Sequence, residues 1–224
     1  MAPIRIGVLS PVDVAFPAVK NAFAELWPEA QTVCLLDESL YADFVNSDYT
    51  VDPQLPEEAY ARIADLFRYS RKTGADGIIF CGSVFGALVE AGREGLDIPV
   101  LTSFEGMIEA AFAEGPRLGI VTSADSSLRC LSDDVDRYAQ ARDLDYTIVS
   151  EIADGAFQKV VAGDRDGADQ MIVDAAASVT ECDSLMLGQF SMGSAVGKIA
   201  KVPGRPVLTA PQGAVEKLKR LLDG

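Results

Sequence analysis

Along the chain, short apolar runs alternate with stretches whose apolar residues recur at helical spacing. The runs are Ile4–Leu9, Thr32–Leu36, Gly77–Phe80, Pro99–Leu101, Leu118–Val121, Tyr146–Val149, Ser184–Leu187 and Pro206–Leu208. They predict strands covered on both faces, because a strand with one wet face alternates apolar and polar residues instead. Between them, Phe16, Val19, Phe23 and Trp27 share one helical face, as do Ile63, Leu66 and Phe67. Pro56 and Pro211 suit first-turn positions, and Asp125 and Asp154 suit N-caps. This alternation predicts an α/β fold of parallel sheets with helices on both faces. The polar stretch Asp37–Leu55 has little periodicity and reads as a long loop, often the mark of a functional lid.

The chain also repeats itself. Residues 76–109 align with 183–216 without a gap, with Asp76/Asp183, Gly86/Gly193, Val89/Val196, Pro99/Pro206, Val100/Val207, Leu101/Leu208, Thr102/Thr209, Gly106/Gly213 and Glu109/Glu216 identical. Those nine identities in 34 positions compare with roughly two expected by chance. Upstream, IRIGVLS (4–10) is similar to RLGIVTS (117–123). The expectation is two pseudo-symmetric lobes, each a parallel sheet flanked by helices, with a ligand cleft between them. The boundaries expected are 1–103 plus a C-terminal helix over 211–224 for the first lobe, and 104–210 for the second.

Composition narrows the chemistry. The 224 residues are 49% apolar and 24% charged, a globular balance, and carry a net charge of −15. So acidic a chain argues against nucleic acid and anionic membrane as partners. The absence of histidine removes Ser–His–Asp triads and an imidazole base. No apolar stretch approaches a membrane span of roughly 20 residues, and the start does not read as a signal peptide. Cys34, Cys81, Cys130 and Cys182 stand alone, which predicts free thiols in a cytoplasmic protein and no zinc site.

Four strand-to-helix turns carry the candidate chemistry: Ser10-Pro11, Phe80-Cys81-Gly82-Ser83, Thr122-Ser123 and Leu187-Gly188-Gln189-Phe190. Each presents small or polar groups where backbone N–H donors of a helix N-terminus point outward, which favours a carboxylate or phosphate. One such turn alone is as consistent with ordinary capping; four at repeat-related positions favour a ligand. No P-loop or GxGxxG motif is present. Cys81 sits at a helix N-terminus, where a thiolate is stabilised. It is either a site thiol or a buried structural one, and the direction of its sulfur decides. The other three cysteines read as packing residues. Asp13, Glu38, Asp48 and Glu105 are weaker acid or base candidates, and Tyr41 and Tyr49 either cover a substrate or pack. Phe85, Phe104 and Phe190 are expected in its side-chain pocket. Lys198, Lys201, Lys217, Lys219 and Arg220 read as solvent-facing charges.

The duplicated strand–turn–helix units resemble the aspartate/glutamate/hydantoin racemase superfamily over essentially the whole chain. Its members include maleate isomerase and arylmalonate decarboxylase. The stretches LLDESLYADF (35–44), GADGIIFCGSVFGALVEA (74–91), IPVLTSFEGMIEAA (98–111), LGQFSMGSA (187–195) and PVLTAPQGAVEKL (206–218) carry the resemblance. It implies chemistry at the carbon next to a carboxylate, without metal, pyridoxal phosphate or other cofactor, and a homo-oligomer whose interface no pattern locates. It further implies two cysteines, one per lobe, that exchange a proton with opposite faces of that carbon. This sequence departs at both places: the second-lobe position is Gln189, and the first-lobe position is Gly82, one residue after Cys81. A two-cysteine racemisation is therefore not supported. The expected site comprises Cys81 as the catalytic thiol and Ser10, Pro11, Tyr49, Gly82, Ser83, Thr122, Ser123, Gln189 and Phe190 as carboxylate-binding residues. The alternatives are a catalytically silent carboxylate-binding protein and a decarboxylase of the arylmalonate type.

Overall fold

The computed structural model describes residues 3–47, 50–51, 57–199 and 204–223. Pro56, Asp48, Tyr49 and Lys201 lie outside them. The strands are β1 Arg5–Ser10, β2 Gln31–Leu36, β3 Gly77–Phe80, β4 Val100–Leu101, β5 Arg117–Thr122, β6 Thr147–Ile152, β7 Ser184–Leu187 and β8 Val207–Thr209. The helices are α1 Phe16–Leu26, α2 Ser39–Phe44, α3 Glu57–Lys72, α4 Gly86–Gly92, α5 Glu105–Glu114, α6 Asp125–Gln140, α7 Ala156–Val161, α8 Arg165–Ser178, α9 Val196–Ile199 and α10 Ala210–Asp223. All eight expected strands form, with ends shifted by three residues or fewer.

The chain divides into two compact units, Met1–Gly106 with Ala214–Gly224, and Met107–Gly213. In the first, the strand order is β2-β1-β3-β4; in the second it is β6-β5-β7-β8, and every pairing is parallel. The inner strands are covered on both faces: β3 and β7 are buried throughout, and β1 and β5 expose only their first residues. That coverage is why they read as unbroken apolar runs. The edge strands β2 and β6 are half exposed. In each order the chain leaves the first strand in one direction and returns past it in the other. Crevices form at such a reversal, outside the carboxyl ends of the two strands concerned. Those strands are β1 and β3 in one unit, and β5 and β7 in the other.

The register also explains part of the repeat. Leu9 pairs with Phe80 in the first unit, and Val121 with Leu187 in the second. Arg5 N donates to Asp76 Oδ2 at 2.8 Å while Asp76 N donates to Arg5 O at 2.7 Å. Arg117 and Asp183 repeat both bonds, at 2.9 and 2.7 Å. The Asp76/Asp183 identity is thus a clasp at the amino end of each inner strand pair. It also sets the upstream match at Arg5–Ser10 on Arg117–Thr122, one residue from the alignment of 4–10 with 117–123.

Three local expectations are corrected. Ala124, not Asp125, is the N-cap of α6, and Gly155 (φ 84°), not Asp154, is that of α7. Neither cap uses a side chain, so the carboxylates fall one residue away. The stretch 37–51 is not a bare loop. It contains α2 and a bridge between Val45 and Val51, and Arg62 on α3 ties it down through Asp37, Asp43 and Ser39. Lys217 is not solvent-facing: it is buried, with its Nζ 2.9 Å from Glu105 Oε1.

Close approach at β5 is tight. A Cβ on Gly119 would lie 2.6 Å from Cys182 Sγ and 2.9 Å from the backbone oxygen of Ser184. Backbone cannot step aside cheaply, so Gly119→Ala is expected to cost about 1–3 kcal/mol of stability, read as a lower urea midpoint at unchanged slope.

Candidate functional site

Each reversal point is built from the last residue of one inner strand and the turn after its neighbour. In the first unit, β1 ends in Ser10, whose hydroxyl accepts from Val12 N at 3.2 Å and lies 2.6 Å from Val12 O and 3.2 Å from Cys81 O. That hydroxyl is engaged within its own turn. Cys81 follows the last residue of β3, and its N–H donates to Leu9 O at 2.8 Å. It is 3% exposed, and burial raises the pKa of its thiol, with a smaller contribution from Cys34. At neutral pH it is a protonated thiol. Gly82 follows as the N-cap of the 3-10 turn Ser83–Phe85, and Ser83 is half-buried.

The second unit repeats the frame. Thr122 ends β5, fully buried, and its hydroxyl donates to Ala124 O at 3.1 Å. Gly188 takes the place of Cys81, with its N–H donating to Val121 O at 2.9 Å. Gln189 takes the place of Gly82, as the N-cap of the 3-10 turn Phe190–Ala195. Its side chain reaches across, and Ser123 N donates to Gln189 Oε1 at 2.7 Å. Ser123 itself is 6% exposed, and its hydroxyl has no partner among the described residues. Phe190 is half-buried.

Space differs sharply between the two N-cap positions. A Cβ on Gly82 would lie 2.8 Å from Phe80 Cε1, 3.0 Å from Phe85 Cδ2 and 3.0 Å from Pro11 Cγ. The first-unit position is therefore filled by apolar neighbours, whereas the second holds a long amide.

The structure thus brings Ser10, Pro11, Cys81, Gly82 and Ser83 together in one unit, and Thr122, Ser123, Gln189 and Phe190 together in the other; Tyr49 lies outside the described residues. Of the pocket aromatics, Phe85 and Phe104 are core instead, at 0% and 1% exposure. The Phe85 ring packs edge-on against Phe80 and Tyr41. Glu105 is committed to two cations, and Asp13 and Glu38 are exposed surface groups. Asp169 was not anticipated. It is 5% exposed on α8 and holds the turn after Gln189 by accepting from Ser194 Oγ at 2.7 Å and pairing with Lys198 at 3.0 Å. Its partners lie a helix away in sequence, so no local pattern marks it. Among the described residues, no group of Cys, Asp and Glu is arranged to hold a metal, and no helix is long and apolar enough to cross a membrane.

The fold has clear counterparts among solved structures. A glutamate racemase from Bacillus anthracis superposes with a TM-score of 0.71 at 16% identity, covering 98% of this chain and 82% of that one. An allantoin racemase from Pseudomonas fluorescens gives 0.69 at 18%, covering 98% and 91%. An arylmalonate decarboxylase gives 0.68 at 18%, covering 98% and 93%. At these identities the likeness is one of fold. No match was found among curated protein sequences. The family model described as Asp/Glu/Hydantoin racemase, however, matches residues 14–220. The chain belongs to the Asp/Glu/Hydantoin racemase family.

Proposed function

We propose that this chain is a cofactor-independent, isomerase-type enzyme acting at the carbon next to a carboxylate of a small amino acid or related acid, with Cys81 as its single thiol at most. The family match and the racemase fold support the general class. The observation that carries the one-thiol limit is the register: Gly82 and Gln189 occupy equivalent N-cap positions, and neither has an exchangeable thiol. Two-sided proton exchange then needs water or a hydroxyl for at least one face. Polar groups of the strand-end turns hold the carboxylate and stabilise the enediolate-like intermediate. A protonated, buried Cys81 suits proton delivery better than proton removal, because a general base works best with a pKa near the ambient pH.

A second reading is favoured by the same burial: a catalytically silent binder that keeps the carboxylate-holding turns. Deuterium uptake separates them. The protein is incubated in D₂O with both enantiomers of aspartate and glutamate, hydantoins and small malonates, and α-deuterium and released CO₂ are followed. Exchange or turnover that is lost in Cys81→Ser supports the enzyme with one thiol. Turnover unchanged by that substitution removes Cys81 from the chemistry. Binding of an acid with neither exchange nor CO₂ leaves the silent binder.

A further inference from the structure

The second-unit turn holds two donors that the fold does not use. A backbone N–H can only donate, so the bond from Ser123 N fixes which end of the Gln189 carboxamide faces it: the oxygen. The NH₂ end of the same planar group is thereby turned away, and no hydrogen bond within the described chain engages it. Beside it, the Ser123 hydroxyl is buried and without a partner, while the neighbouring Thr122 hydroxyl is already committed to Ala124 O. Buried polar groups are nearly always paired, so an orphan next to a pinned amide calls for a missing acceptor. The turn also opens the 16-residue helix α6, whose N-cap Ala124 supplies no side-chain bond, so the positive end of that helix adds to the same field.

We propose that Gln189 is a positioning and selectivity residue, locked by Ser123 N so that its NH₂ group and the Ser123 hydroxyl together donate hydrogen bonds to one carboxylate oxygen of the substrate. This deepens the carboxylate reading above and rests on it. The bond to Ser123 N restricts the amide before any ligand arrives, which reduces the ordering cost of binding. The first unit has no counterpart, since Gly82 carries no side chain and its surroundings are apolar.

The variant Gln189→Glu separates ligand holding from folding. The introduced carboxylate still accepts from Ser123 N but presents an acceptor where the NH₂ donors were. Malonate, succinate and both enantiomers of aspartate and glutamate are titrated into ¹⁵N-labelled protein, and amide exchange at Ser123 is measured in the same samples. The expected result is binding of at least one acid by the wild type, at least tenfold weaker in Gln189→Glu, with Ser123 exchange unchanged. Partial recovery of affinity is expected where the introduced carboxyl is protonated, relative to the wild type at the same pH. Equal affinity in the variant overturns the assignment and leaves the carboxylate reading standing. Weakened binding accompanied by faster Ser123 exchange also overturns it, because the residue then acts on the fold alone. Failure of every acid to bind the wild type overturns both.

Discussion

Replacing Glu105 by alanine is expected to lower the unfolding free energy by about 3–5 kcal/mol, the usual consequence of breaking a largely buried ion pair from one side. Glu105 opens α5 with its side chain 16% exposed, between Arg93 Nη1 at 2.6 Å and Lys217 Nζ at 2.9 Å. The Lys217 side chain is 9% exposed and that of Arg93 33%, so the lysine suffers most from losing its carboxylate partner. Arg93 also donates to Val100 O at 2.9 Å, so the group ties the end of α4, the short strand β4 and α10 to one carboxylate. Two further measurements separate charge from shape. Lys217→Met is expected to cost less in a Glu105→Gln background than in the wild type, since the cation there has already lost that partner.

Acid should show the same group. Desolvation alone would raise the Glu105 pKa, but Arg93 and Lys217 outweigh it and hold the carboxyl below the ordinary value. A carboxyl depressed in the folded state contributes stability above its unfolded pKa, and that contribution disappears as the pH falls through its folded pKa. The gap between the wild type and Glu105→Gln should therefore be constant above about pH 5 and shrink below it. A gap that stays constant into acid would mean that the pairing does not stabilise the ionised form.

How much of this was visible in the sequence depends on range. The eight strands were legible because their burial is written into consecutive residues, and the equivalence of Gly82 and Gln189 was legible because the repeat is gapless. Helix α2 was not, since six residues leave little periodicity and Arg62, well along the chain, holds them in place. The burial of Lys217 was likewise hidden, because its partner Glu105 stands 112 positions away. Cys81 shows the limit most sharply. Sequence placed it at a helix start, where a thiolate is favoured, but the residue follows β3 directly and is 3% exposed, which raises the pKa of its thiol. The polar residues of the second-unit turn were legible. The bond that joins Ser123 to Gln189 was not, because it runs between two turns 66 residues apart.

Phe80→Ala is expected to cost about 3–5 kcal/mol, and its value lies in what it does to Gly82. Phe80 is fully buried at the end of β3, with its ring edge-on to Phe67 and Phe85 at 6.1 and 5.9 Å. The same ring stands 2.8 Å from the place a Cβ would take on Gly82. Gly82→Ala alone should therefore destabilise by about 1–3 kcal/mol through overpacking. In the Phe80→Ala background that closest obstruction is gone, although Phe85 and Pro11 remain at 3.0 Å. The second substitution should then cost less, with a coupling of about 1 kcal/mol between the two sites by urea unfolding. Strict additivity would show that the ring does not close the position. Coupling would mean that the first-unit turn excludes a side chain physically: any side chain introduced at Gly82 would have to displace Phe80, Phe85 or Pro11.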